Sequence, residues 1–288
     1  MSAKYHTLNR FFSRNVFHQL LFRDENAVEM MRKIVRRYCI NTDSDVTNER
    51  VISCIYEYMG MVYRNEYFYK NTLLNKLLIN VHRVNTTTAL TEVAVARSKA
   101  DFIMVNGKAV VYEIKTELDT FERLLSQISD YYKAFDHVCV VTSESQVASL
   151  NLLLRDFQLG KYVGVYVLKK NGRIDRRREP KSYKERLDAN CMFKILNKSE
   201  YEAIVKQING VLPMATPVRY YQACREILCN LPLDKLYQLF LVKLKERYRR
   251  KAISGIPSAL NFLLYFSKSC EKEQQEFVNF LSLPFEWR

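Results

Sequence analysis

The chain has 288 residues, 48% hydrophobic and 26% charged, with a net charge of +14 and an isoelectric point near 9.4. That is apolar material enough for a large core, and with only 7 Gly, 6 Pro and no low-complexity run it leaves no place for long disordered linkers. No stretch approaches the roughly 18 consecutive apolar residues of a membrane span. The opening MSAKYHTLNRFFSRN lacks the apolar centre of a signal peptide, so the expectation is a cytoplasmic protein with no membrane partner.

The first 88 residues read as a helical region. Apolar side chains recur at helical spacing through 26–40 and 48–63, and 71–84 suits a further helix with Asn71 as its N-cap. The period then changes. Residues 91–96 alternate, 101–105 and 109–115 are apolar runs, and Asn106-Gly107 between those two runs signals a hairpin. A helix is expected at 119–135, with Asp119 and Glu122 forming a capping box. Strands at 137–142 and 162–168 flank a helix at 145–157. Residues 89–190 therefore predict a mixed α/β core: a mixed sheet flanked by helices. From 191 to 288 the helical period returns, at 199–209, 217–230, 233–253 and 257–284, and predicts an all-helical C-terminal region.

The seven cysteines include no Cys-x-x-Cys pair and only four His occur, which excludes a zinc-ligand pattern and a disulfide framework. No Gly-rich phosphate loop is present, and His82 and His137 have no catalytic partner at a recognisable spacing. The positive charge is concentrated in 169–178 (KKNGRIDRRR) and 243–251 (KLKERYRRK). Lys169, Lys170, Arg173, Arg176, Arg177 and Arg178 in the first run, with Lys245, Arg247, Arg249 and Arg250 in the second, are candidates for holding a nucleic-acid backbone, DNA first.

Asp101, Glu113 and Lys115 sit among the apolar residues of the hairpin, where an uncompensated charge costs several kcal/mol. Glu113 and Lys115 share a strand face. A two-residue turn at Asn106-Gly107 would place Asp101 on the face of Tyr112. An odd loop or a bulge would place it with Glu113 and Lys115. If the three converge, their carboxylates and the Ile114 carbonyl suit Mg²⁺ or Mn²⁺, with Lys115 beside the attacking water. In bland terms, Glu113 and Lys115 are a cross-strand pair on a solvated edge, Asp101 a strand cap and Gln127 a surface amide.

Asp101 followed by Glu113-Ile114-Lys115, in a hairpin leading to a helix and alternating strands, resembles the PD-(D/E)XK nuclease superfamily. Gln127 and Tyr131 are similar to the Gln-x-x-x-Tyr element of its RecB-like branch, and 112–141 resembles a bacterial family of such proteins found near mobile elements and phage defence. The likeness spans about 90–185 and implies a restriction-endonuclease-like fold and metal-dependent DNA hydrolysis. It implies Asp101, Glu113, Lys115, Gln127 and Tyr131 as the catalytic set, with metal ligands Asp101, Glu113 and Ile114. Ala100 stands where the superfamily has Pro. The metal-associated Glu that many members carry on a preceding helix is missing from 71–84, so Glu92 is favoured in that role over Glu66. Two rival readings remain, a non-catalytic DNA-binding scaffold on the same fold and an interaction protein acting through its helical flanks.

Overall fold

The computed structural model describes residues 3–40, 46–79, 87–247 and 255–287. The chain forms two compact units: residues 1–81, 170–172 and 250–288 in one, and 82–169 and 173–249 in the other. The first unit begins with α1 (His6–Phe11), α2 (Arg14–Leu21), α3 (Glu25–Tyr38), α4 (Asn48–Val62) and α5 (Glu66–Leu73), which continues into a π-helical turn at Leu74–Ile79. The starts of α2 to α5 are set locally: the side chains of Ser13, Asp24, Thr47 and Asn65 each accept a hydrogen bond from a first-turn amide. The expected helix 71–84 is instead the end of α5 plus this turn. Its residues 80–84, His82 among them, lie outside the described residues.

The second unit carries one sheet of six strands in chain order. β1 (Thr88–Val95), β2 (Ser98–Asn106) and β3 (Lys108–Lys115) form an antiparallel meander. α6 (Leu124–Tyr131) crosses to β4 (His137–Ser143), which is parallel to β3, and α7 (Val147–Arg155) crosses to β5 (Gly164–Leu168), parallel to β4. β6 (Ile174–Arg178) closes the sheet antiparallel to β5. The expected mixed α/β architecture, with a mixed sheet between helices and helical termini, is what the structure shows. β6 is an addition: the basic run of 169–178 supplies an edge strand, where charge discourages further strand pairing.

Helices α8 (Ala189–Ile195), α9 (Lys198–Asn209), α10 (Pro217–Cys229) and α11 (Leu233–Glu246) complete this unit. Phe193, Ile204, Leu228, Tyr237 and Phe240 share one core with Ile103, Val111, Val140 and Val165 of the sheet. The boundary expected at 190/191 is therefore not a boundary between units. Helices at 189–246 cover a sheet face that the crossovers α6 and α7 do not finish, and only the last segment belongs to the other unit. There α12 (Asn261–Phe266) and α13 (Glu271–Ser282) replace the single helix expected at 257–284. They join the N-terminal helices through Tyr67 Oη to the Ala259 carbonyl at 2.6 Å, and through a Thr47–Pro284 bridge.

A buried carboxylate ties α11 to the sheet. Asp136, at the entry to β4, accepts hydrogen bonds from Tyr237 Oη (2.5 Å) and Ser182 Oγ (2.9 Å), and its Oδ1 lies 2.8 Å from His137 Nδ1. Burial alone would raise its pKa. The bonds from His137, Tyr237 and Ser182 outweigh burial and hold it below the ordinary aspartate range. A carboxylate with a depressed native pKa contributes stability above its unfolded value and loses it as pH falls through the native one. Asp136→Asn is expected to destabilise by about 2–4 kcal/mol at neutral pH in urea unfolding. Its stability should also fall less steeply than that of wild type as pH drops below the ordinary aspartate range.

Candidate active site

The turn between β2 and β3 decides which residues meet. Val105 pairs with Ala109 and Asn106 with Lys108 around Gly107, whose φ of +70° is a backbone state that a glycine adopts without penalty. The loop is thus odd, with Gly107 at its centre. This register sets Asp101 across from Glu113, so Asp101, Glu113 and Lys115 share a sheet face, joined by Lys99 two residues before Asp101.

The β2–β3 ladder ends at Phe102–Tyr112. Beyond it Asp101 Oδ2 accepts the Ile114 N–H at 2.8 Å, a side chain standing in for a ladder bond. Ile114 thus engages Asp101 through its backbone amide. On the other flank Glu92 interrupts β1: Thr91–Phe102 and Val93–Ala100 pair on either side, and Glu92 has φ +58°. A left-handed glutamate within a strand carries roughly 1–2 kcal/mol of strain. Its carboxylate lies within 4.8 Å of that of Asp101, and its Oε2 is 2.5 Å from Lys99 Nζ. Glu66, the alternative glutamate, opens α5 and pairs with Lys70 Nζ at 2.5 Å.

α6 supplies the roof of the site. Gln127 and Tyr131, one turn apart, face the splayed strands. Tyr131 Oη donates to Glu113 Oε2 at 2.5 Å and is 3.0 Å from the Lys99 carbonyl oxygen, so it bridges β2 and β3 where the ladder has stopped. Lys115 Nζ lies 3.1 Å from Glu113 Oε1 and donates to Gln127 Oε1 at 2.9 Å. The preceding residue, Asp130, accepts from Ser98 Oγ and the Arg97 N–H and so pins the β1–β2 turn to the same helix.

Glu113 is 1% exposed, and burial raises its pKa against the opposing pull of Lys115, Tyr131 and Gln127. Burial and the neighbouring Glu113 charge push the Tyr131 hydroxyl far above its usual range, which keeps it a neutral donor. The arrangement can hold a proton on the Glu113 side, present an ammonium beside it, and offer two more carboxylates, Asp101 and Glu92, at the partly exposed mouth. All three acids offer oxygen, the donor that hard divalent cations prefer.

The strand end that carries Lys115 is held by a relay of polar contacts. Thr142, its partner on β4, donates to Gln146 Oε1, and Gln146 Nε2 donates to the Asp119 carbonyl. The Asp119 carboxylate takes the N–H and Oγ1 of Thr116. Asp119 therefore caps this turn instead of a helix at 119, and α6 begins five residues later, at Leu124.

The basic residues are less available than their spacing suggests. Lys169 pairs with Asp175, Arg177 with Asp175 and Glu144, and Arg176 approaches Glu179 while lying over the Tyr166 ring. Arg178 donates through Nε to the Val163 carbonyl. Lys170 and Arg173 flank the turn that leads into β6. Arg247 is a clamp, not a phosphate ligand: it bonds both Glu200 oxygens at 2.7 Å and the Ile195 carbonyl at 2.6 Å, and is 15% exposed. Lys245 remains on α11, with its carbonyl taken by Thr88 Oγ1. Arg249 and Arg250 lie outside the described residues.

Lys99 is the site residue that sequence reasoning misses. Its signal is simple alternation, since 99 and 101 share a face once 101 is placed. His137 has no partner recognisable from spacing, yet it stands beside Asp136.

The fold and site thus define a mixed α/β protein with a buried Glu–Lys pair at the point where a three-stranded meander splays. The sequence profile described as "Bacteriophage P4 protein cII" matches residues 59–256, well over half of the chain and the whole sheet-bearing unit, and the chain belongs to that family. Protein cII of Enterobacteria phage P4 is 25% identical over 174 residues, 57% of this chain and 61% of the phage protein. The match thus covers less than two thirds of that relative's length. No solved structure matches.

A buried ion pair in so apolar a setting is a poor source of stability. The double variant Glu113→Gln/Lys115→Met is expected to be as stable as wild type or more so, by up to about 4 kcal/mol in urea unfolding. Lys115→Met alone should raise the Glu113 pKa further. A carboxyl with a raised native pKa contributes stability below its unfolded value and loses it as pH rises through the native one, so this variant should weaken progressively as pH rises above the ordinary glutamate range. That slope is measurable by urea unfolding at stepped pH.

Proposed function

We propose that this protein is a metal-dependent nuclease of the PD-(D/E)XK type that hydrolyses DNA phosphodiester bonds. The observation that carries the reading is the odd turn at Gly107, which sets Asp101, Glu113 and Lys115 on one sheet face under Gln127 and Tyr131. Asp101 and Glu113, with Glu92 and the Ile114 carbonyl, are the groups that would hold Mg²⁺ or Mn²⁺, an all-oxygen donor set suited to a hard cation. The cation would polarise the phosphodiester as a Lewis acid.

The remaining work falls to the chain. Glu113 and Gln127 engage two of the three Lys115 donors. The third is left to orient an attacking water and to offset charge developing on the phosphate. Tyr131 holds Glu113 in place, and the Asp101–Ile114 bond keeps the strands apart at the position substrate must reach. Lys169, Lys170, Arg173, Arg176 and Lys245 would contribute backbone attraction, more weakly than their number suggests because several are ion-paired. A cytoplasmic role in mobile-element biology or phage defence fits both the resemblance and the phage relative.

One observation favours a second reading, a DNA-binding scaffold without catalysis. Both Glu113 oxygens are already engaged, one by Tyr131 and one by Lys115.

A cleavage panel of single-stranded, duplex and branched DNA and of RNA, with Mg²⁺ or Mn²⁺, separates the two. Under the nuclease reading wild type cleaves DNA, and Lys115→Ala, Asp101→Asn and Glu113→Ala each lose at least about 100-fold, the scale of one lost catalytic group. DNA affinity should stay within about twofold in the Lys115→Ala variant, and calorimetric Mn²⁺ binding should weaken in Asp101→Asn. Full activity of Lys115→Ala would sink the mechanism. Metal-independent DNA binding with no cleavage under either ion would establish the scaffold.

A further inference from the structure

The helical unit holds a cleft of about 380 Å³ that the proposed chemistry does not use. It lies where α2 meets the junction of α12 and α13, far along the sequence from every residue of the candidate active site. Its floor is apolar, formed by Phe17, Leu21, Leu263 and Phe266, and the floor is braced from behind by Phe277 packing edge-on against Phe17 at 5.7 Å. This volume falls in the range of small-molecule pockets, which combine apolar walls with a few placed polar groups.

The charged groups of the lining are two cations, Arg14 and Lys268, and one acid, Glu273. Arg14, His18 and Lys268 line the mouth, all exposed, and among the described residues neither Arg14 nor Lys268 has an ion-pair partner. The single acid in the lining, Glu273, is engaged within its own helix, where its Oε2 accepts the Cys270 N–H at 2.8 Å as part of the capping box of α13. The first turn of α13, whose amides carry partial positive charge, borders the same opening. Phe22, 54% exposed and 4.7 Å from the His18 ring, stands at the rim as an apolar lip.

An apolar cleft with two unpaired cations and an imidazole at its mouth discriminates by charge as well as by shape. A neutral apolar ligand would leave those groups as they are in water. A cationic one would be repelled. An anionic head on an apolar body satisfies both parts at once, through charge-assisted hydrogen bonds at the rim and burial on the floor. We propose that this cleft binds a small amphipathic carboxylate, its chain on Phe17, Leu21, Leu263 and Phe266 and its head between Arg14 and Lys268. The site stands apart from the nuclease reading and survives or fails without it.

Calorimetry on the full chain tests it with decanoate below its micellar concentration, beside decan-1-ol and decyltrimethylammonium as neutral and cationic heads on the same chain. Decanoate is expected to bind at one site, at least about tenfold tighter than decan-1-ol, with no saturable binding of the cation. The double variant Arg14→Glu/Lys268→Glu, at exposed positions where folding can be verified by circular dichroism, should lose that tenfold preference. Bound decanoate should also shield Lys268 from acylation by a water-soluble ester, read by mass spectrometry. Equal affinity for decanoate and decan-1-ol, an unchanged double variant, protection of lysines elsewhere but not Lys268, or no saturable decanoate binding would each overturn the proposal.

Discussion

The hydrogen bond from Tyr131 to Glu113 is the contact on which the sheet-bearing unit turns. It sits where the β2–β3 ladder has ended and the strands separate, so a side chain from a crossover helix does the joining that backbone amides no longer do. Asp101 fills the other half of the gap by taking the Ile114 amide. A sheet that splays at one end leaves unsatisfied backbone groups unless side chains replace the lost bonds. Here the replacements are the charged and hydroxyl groups of the candidate site, so stability and proposed chemistry draw on the same atoms.

That sharing explains the odd electrostatics. A core so rich in Val, Ile and Phe would be better served by apolar residues at 113 and 115, since a buried ion pair seldom recovers its desolvation. The pair is held by a tyrosine hydroxyl and a glutamine amide from α6, and a strained glutamate stands at the mouth. Strain and buried charge clustered at one end of a sheet are what functional sites tend to store.

The basic surplus turns out to be divided among different roles. Arg247 joins α8, α9 and the end of α11, and Arg177 and Lys169 neutralise acids along an edge strand. Charge counted along a sequence gives no account of which partners it will meet. A guanidinium flanked by basic neighbours can still be clamped by a glutamate 47 residues earlier. In the helical unit the reverse holds, because Arg14 and Lys268 stand isolated in sequence and converge on one cleft.

Local physics made much of this protein legible in advance. Period-two and helical spacing located the strands and most helices, and the alternation of Glu113 and Lys115 put them on one face. The same reasoning reduced the placement of Asp101 to the parity of a single turn. What it left open was whatever depends on distant segments. The parity itself was settled by how Gly107 sits between two strands already committed to their partners. The strand at Ile174–Arg178 was hidden because its side chains carry charge and its pairing comes from β5. The division of the C-terminal helices between two units was hidden because a helix's apolar stripe shows that it must be covered, not by what. Sequence sets the period of an element and the chemistry of its face. Which faces meet is decided by packing among residues far apart in the chain, and only the folded structure contains that choice.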